Sequence, residues 1–364
     1  FCVSRCEYCD FVSNTCIDHI DDYITALTSE ITRNVDKFKD RKVSSVYFGG
    51  GTPSLISSEQ FLRVFSAVKL YNIADNAEIT VECNPESVTK EKLDTYKHCG
   101  VNRVSVGVQS CIDTQLKTIG RAHSYEDVTR ALDLIFDSGF SNVSCDIMLG
   151  LPDETRKTVE ITLDKIFAYP LTHLSAYSLI LEKGTKLYNR VNDRDVTLPE
   201  EDETVDNYDF VCEYLGKKGL FRYEVSNFAK LGYESRHNKV YWNDCEYIGF
   251  GESAHSFVGD TRFSNCISLD EYITSISLGR SAIVDKQKLS TADRRFEFVM
   301  LGLRKSDGIS LLEFKKLFKT DFYTVFFNAH NLQEQGFLIE EGDRLFVAPT
   351  KIYVLNSILV ELMN

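Results

Sequence analysis

The opening of the chain constrains it most: Cys2-Val3-Ser4-Arg5-Cys6-Glu7-Tyr8-Cys9 sets three thiols in one short loop at C-x3-C-x2-C spacing. Iron–sulfur clusters are held by cysteine thiolates, ordinarily four. A compact set of three points to a four-iron cluster with one iron left open to a further ligand. A zinc site more often shows two C-x2-C pairs or added histidines, and no partner pair stands nearby. A disulfide reading needs an oxidising compartment. The eleven cysteines are odd in number and lie scattered through apolar segments, among them Cys83, Cys99, Cys111, Cys145 and Cys212. That is the pattern of buried, reduced thiols in a cytosolic protein.

Net charge is −13 with no strong basic run, which argues against a nucleic-acid footprint built from clustered Lys and Arg. No apolar stretch approaches membrane-spanning length and no signal peptide is visible. The expected setting is the cytoplasm, without stable membrane insertion.

A length of 364 residues predicts one large domain and a smaller one. Val43–Phe48, Glu78–Cys83, Arg103–Val108, Val143–Met148 and His173–Leu179 are short, β-branched-rich runs bounded by turn residues. Amphipathic stretches separate them: Ile17–Lys37, Ser57–Tyr71 with a capping box at Ser57-x-x-Gln60, Thr89–Cys99 and Tyr125–Ser138. Such alternation predicts right-handed βαβ units and a parallel sheet. Because the sequence opens on the cysteine motif, a strand feeding that loop is expected upstream of Phe1. Five strands and that one make six, an α/β fold of the open, partial (β/α)6 barrel type. From about Ser290 the character changes to helices at Ala292–Leu303, Ile309–Phe318, Thr324–Gln335 and Lys351–Leu362. A hairpin, Phe337–Glu341 with Arg344–Val347, sits among them and predicts a small winged-helix-like module.

In parallel α/β barrels, functional groups sit at the carboxyl ends of the strands. Four strands in succession deliver polar groups or glycines there: Gly49-Gly50-Gly51-Thr52-Pro53, then Glu82, Gln109 and Asp146. Each alone reads equally as a turn, a cap or a solvated residue; together they mark one rim. Arg121, after the strand that ends at Gln109, either pairs with a ligand carboxylate at the same mouth or caps a helix.

These residues resemble the radical S-adenosylmethionine (SAM) proteins. Tyr47-Phe48-Gly49-Gly50-Gly51-Thr52-Pro53-Ser54, Val101–Ser110 and Asp146–Pro152 are similar to the oxygen-independent coproporphyrinogen III oxidase family. His237-Asn238-Lys239-Val240-Tyr241-Trp242 and Gly251-Glu252-Ser253-Ala254-His255 are similar to its HemW-type branch of haem chaperones. The resemblance implies a radical SAM partial barrel over residues 1–230, a connecting segment 231–289 with the HNxxYW motif, and a C-terminal domain over 290–364. It implies that Cys2, Cys6 and Cys9 hold a [4Fe–4S] cluster and that Tyr8 lies against the SAM adenine. Gly50, Gly51, Thr52, Glu82, Gln109, Arg121 and Asp146 match the remaining SAM-contacting positions, while a further SAM-binding tyrosine of the family precedes the first cysteine.

The true oxidase carries a fourth cysteine two positions after the third, where this chain has Phe11; that favours the chaperone branch. Haem as cargo needs an axial ligand and an apolar slot. His237, beside Tyr241 and the only tryptophan, Trp242, is the leading candidate, followed by His255 and Cys245; a hydrogen-bonded structural histidine is the competing reading. The expected partners are haem or a porphyrin, a haem-acceptor protein and an electron donor. The rival activity is radical oxidation of coproporphyrinogen III propionates to vinyl groups.

Overall fold

The computed structural model describes residues 1–363. Helix α1 (Ile20–Phe38) follows the cysteine loop. Strands β1 (Val43–Phe48), β2 (Ile73–Cys83), β3 (Arg103–Gln109), β4 (Val143–Leu149) and β5 (His173–Ser178) then form a parallel sheet in chain order. Crossing between them are α2 (Ser58–Val68), α3 (Lys90–His98), α4 (Asp113–Thr118) with α5 (Tyr125–Asp137), and α6 (Arg156–Ile166). Local chemistry starts these helices where the sequence says. Ser57 and Gln60 form the expected capping box of α2, the structure adds a second box of Ser124 and Asp127 at α5, and the Thr89 hydroxyl caps α3.

The sheet curls into a half-barrel, as expected, and extends further beyond β5. After α7 (Lys186–Asn192) and α8 (Glu201–Lys217), the short strands β6 (Phe221–Arg222) and β7 (Asn227–Ala229) add antiparallel to β5, giving seven strands in the order 1-2-3-4-5-7-6. Strands of two and three residues are too short to leave a period-2 signature in the sequence.

The two faces of the parallel strands differ in kind. Val46, Phe48, Val81, Val104, Val106, Val108, Cys145, Ile147, Leu174 and Ala176 pack outward against the helices in one core. The alternate positions point inward and are polar: Ser45 and Tyr47 on β1, Glu78, Thr80 and Glu82 on β2, Arg103 and Ser105 on β3, Ser144 and Asp146 on β4, His173 and Ser175 on β5. Hydrogen bonds between neighbouring strands link several of them on that face, Tyr47 to Glu82, Ser105 to Asp146 and Ser144 to His173. Ordinary parallel strands are apolar on both faces; this one is built around a polar interior.

The segment expected to be a connector carries its own structure. Helix α9 (Arg236–Trp242) lies along β1, and its start is held by the inward carboxylate of Glu78, which accepts from the His237 and Arg236 N–H groups at 2.9 and 3.1 Å. Strands β8 (His255–Val258), β9 (Thr261–Asn265) and β10 (Ile283–Lys288), with α10 (Leu269–Ser277) between the last two, make a small antiparallel sheet. It is pinned to α1 by the buried Glu30, which accepts from Gly251 N–H, Asn265 and the Tyr272 hydroxyl.

The C-terminal part contains α11 (Thr291–Gly302), β11 (Ile309–Ser310), α12 (Leu311–Phe318), α13 (Phe322–Val325), α14 (Ala329–Glu334), β12 (Leu338–Glu341), β13 (Arg344–Val347) and α15 (Leu355–Met363). Two expectations are corrected. Ile309–Phe318 is not one helix: Ile309 and Ser310 pair with β13, and the Ser310 hydroxyl then caps α12. Thr324–Gln335 is broken at Phe326–Asn328, because Phe326 turns into the aromatic cluster of Phe314 and Phe322. This module shares its core with the barrel. Among the described residues, no helix is long and apolar enough to cross a membrane.

Candidate functional site

The cysteine loop is moored on the carboxyl rim of the sheet. Cys2 N–H donates to Asn14 O at 2.9 Å, Thr52 N–H to Phe1 O at 2.7 Å and Glu7 N–H to Ile119 O at 2.9 Å. A Cβ on Gly51 would lie 2.6 Å from the Phe1 carbonyl oxygen, so the turn after β1 and the loop meet only because residue 51 lacks a side chain. The Glu7 carboxylate pairs with Arg190 at 2.6 Å.

Cys2, Cys6 and Cys9 are free and half-buried. The Thr52 hydroxyl donates to Cys2 Sγ at 3.4 Å, and Arg121 Nη1 donates to Cys6 Sγ at 3.6 Å. Burial pushes the Cys9 thiol and the Tyr8 phenol up, with Arg121 opposing it at Tyr8. Among the described residues, no group of three or more His, Cys, Asp or Glu is gathered to hold a metal ion. In a cluster each cysteine binds a different iron, so its sulfurs stand apart. Three thiols in one loop, two of them receiving hydrogen bonds from the rim, are a donor set that fits a cluster.

The other residues singled out in the sequence surround the same mouth. Glu82 accepts from the Tyr47 hydroxyl at 2.6 Å and from Gly50 N–H at 3.1 Å; burial nonetheless raises its carboxyl to about 7. Asp146 accepts from the Ser105 hydroxyl at 3.2 Å and is also pushed up by burial. Gln109 ends β3 with φ of +64°, one register step out of line with β4. Such backbone costs on the order of 1 kcal/mol or more in a non-glycine residue and collects at functional sites. Arg121 reaches the rim: Nη2 donates to Asn84 Oδ1 at 2.9 Å and to Gly107 O at 2.8 Å.

His237 stands apart from the cysteines but is joined to the rim. Its ring stacks on Tyr47 at 4.7 Å, Nδ1 meets the Ser45 hydroxyl at 2.9 Å and Nε2 the Tyr241 hydroxyl at 3.0 Å. Burial lowers its pKa to about 4, so it is neutral at physiological pH. His255 and Cys245 are exposed. Beside the cysteine loop an open groove of about 500 Å³ runs to the start of α10, lined among others by Arg5, Val12, Cys16, His19 and Leu269.

The sequence reading passed over Asn84, Tyr47 and Arg103. Asn84 directly follows β2 and precedes Pro85, where an asparagine reads as turn chemistry. Tyr47 and Arg103 look like strand residues; the signal available was a polar or amphipathic side chain at alternate positions of otherwise apolar parallel strands.

Comparison with known proteins fits this geometry. The Radical SAM superfamily model matches residues 1–166, and the HemN C-terminal domain model matches residues 289–350. The heme chaperone HemW of Bacillus subtilis is 36% identical over 317 residues, covering 86% of this chain and 84% of its own length. Those of Lactococcus lactis and Escherichia coli are 34% and 32% identical, over 88% and 86% of this chain and 84% and 83% of theirs. Among solved structures, the coproporphyrinogen III oxidase HemN of Escherichia coli, a radical SAM enzyme, superposes with a TM-score of 0.87. It covers all of this chain and 88% of its own at 21% identity, a likeness of fold.

Proposed function

Because this chain belongs to the heme chaperone HemW family of radical SAM proteins, we propose that it binds a [4Fe–4S] cluster, SAM and haem and passes the haem to an acceptor protein. The observation that carries the reading is the convergence of three thiols of one loop, two of them hydrogen-bonded to the rim, with Thr52, Glu82, Asp146 and Arg121 around one mouth.

Cys2, Cys6 and Cys9 hold the cluster, which supplies one-electron reducing power and an iron open to SAM. Everything else is done by this chain's own groups. Gly50 and Gly51 leave room for the methionine moiety of SAM, and the Arg121 guanidinium answers its carboxylate. Glu82 and Asp146 accept from ribose hydroxyls, and Tyr8 covers the adenine. The Glu82 proton, retained up to about pH 7, leaves as the hydroxyls arrive. His237, neutral and shielded, offers Nε2 to haem iron once Tyr241 lets it go.

The acceptor protein and a one-electron donor are the proteins that complete this cycle, in the cytoplasm. The domain limits that go with the reading are 1–230, 231–289 and 290–364. The oxidase alternative draws on the HemN fold, a likeness at 21% identity. Anaerobic assay of cluster-reconstituted protein separates the two. Stoichiometric haem uptake and transfer without turnover supports the chaperone, and formation of protoporphyrinogen from coproporphyrinogen III rejects it.

A further inference from the structure

A belt of hydrogen bonds joins two of the three cysteines through a residue that touches neither. Cys2 Sγ accepts from the Thr52 hydroxyl at 3.4 Å, and Thr52 Oγ1 accepts from Asn84 Nδ2 at 3.0 Å. On its other side, Asn84 Oδ1 accepts from Arg121 Nη2 at 2.9 Å, and Arg121 Nη1 donates to Cys6 Sγ at 3.6 Å. The middle of this belt has one workable orientation. Arg121 has only donors, so the amide oxygen must face it, and the amide nitrogen is left to face Thr52. With its oxygen occupied by that donor, the threonine turns its own hydrogen toward sulfur.

Asn84 is fixed in place by more than the belt. Its N–H donates to the Ser54 hydroxyl at 3.0 Å and its carbonyl accepts from the Ser87 hydroxyl at 2.8 Å. A Cβ on Gly107 would stand 3.3 Å from Asn84 Oδ1 and 3.4 Å from Arg121 Nη2. Its absence lets asparagine and arginine close against β3. A turn asparagine needs none of this; the amide is oriented on both faces.

We propose that Asn84 is a positioning residue for the cluster: it orients the two donors that reach the Cys2 and Cys6 sulfurs and so sets how readily the cluster accepts an electron. The inference rests on the cluster assignment of the preceding subsection. Reduction adds one negative charge to the cluster, and donors on its sulfurs stabilise that charge, raising the potential.

The test is an EPR-monitored redox titration of the cluster-reconstituted full chain, with dithionite as reductant. Asn84→Ala and Thr52→Val should each lower the midpoint, by about tenfold in the reduced-to-oxidised ratio at fixed potential, or 59 mV for one electron. Thr52→Ser keeps the hydroxyl and should stay near the parent value. Asn84→Ala should cost less on a Thr52→Val background than alone, because half of its route to sulfur is already gone. A midpoint indifferent to Asn84→Ala, or a full-sized decrement on both backgrounds, overturns the proposal. Should Asn84→Ala not fold, equal potentials for Thr52→Val and Thr52→Ser overturn it instead. Parent protein that takes up no reducible cluster brings down the family-based reading and this inference with it, a result distinct from a cluster that ignores Asn84.

Discussion

Tyr47 stacks on His237 with ring centroids 4.7 Å apart and planes at 16°, while its hydroxyl holds Glu82 at 2.6 Å. One aromatic side chain therefore serves the carboxylate proposed for ribose and the histidine proposed for haem. Tyr47→Phe keeps the stack and removes a donor that favours the Glu82 carboxylate. Losing a hydrogen bond to a charged group costs about 1.5–3 kcal/mol. Affinity for S-adenosylhomocysteine at pH 7 should fall roughly tenfold and recover toward pH 9, while the haem absorption spectrum stays unchanged. Calorimetric titration at the two pH values checks it.

Glu82 gives a second pH dependence. Its folded-state value near 7 lies above the ordinary 4.5, so between those values the native state holds a proton that the unfolded chain has released. Its contribution to stability therefore declines as pH rises through that window. Binding runs the other way, since ribose hydroxyls need an acceptor carboxylate. Nucleoside affinity should tighten by about tenfold from pH 6 to pH 8, the ratio of ionised fractions for a group titrating near 7. Glu82→Gln should bind weakly with a flat profile.

His237 is held neutral down to about pH 4 by burial. A pKa depressed below the ordinary 6.5 means that it opposes folding progressively as pH falls from 6.5 toward 4. As haem ligand it should keep the absorption spectrum of ligated haem constant down to about pH 5, whereas an exposed imidazole would be half protonated near pH 6.5. His237→Ala should abolish that spectrum. An unchanged spectrum in the variant would move the haem to the groove lined by Cys16 and His19.

The contact between the Gly51 turn and Phe1 is tight enough to test the mooring of the cysteine loop. Gly51→Ala puts a methyl 2.6 Å from the Phe1 carbonyl oxygen and should lower iron retention after reconstitution. Cys6→Ala should abolish it. Iron and sulfide analysis reads both.

Phe314 is fully buried among Phe298, Phe318, Phe322 and Phe326. Phe314→Ala should cost about 3–5 kcal/mol, measured by urea unfolding. Because this cluster is continuous with the barrel core, the loss should appear in barrel probes as well.

Much of this was legible in the sequence, for physical reasons. β1 has the bounds expected of it, since Val43–Phe48 is bracketed by turn residues, and α2 begins where the Ser57–Gln60 box requires. The rim was legible because Gly50 follows β1 closely, Glu82 stands next to the end of β2 and Asp146 sets a carboxylate among apolar neighbours of β4. Arg121 was left open between a cap and a ligand, because only folding brings it back to Gly107 and Asn84. The β6–β7 pair and the break at Phe326 depend on tertiary contacts that no local pattern encodes. The polar lumen lay in plain view at alternate strand positions, yet β-branched content dominated the reading of those strands.

That alternation separates two tasks along a single backbone. Outward residues such as Val104 and Leu174 supply cohesion, and inward neighbours such as Arg103 and Ser175 line a polar interior. Selection can therefore rewrite one set at little risk to the other. A scaffold wired this way is free to exchange cargo, or to trade catalysis for delivery, without renegotiating how it folds.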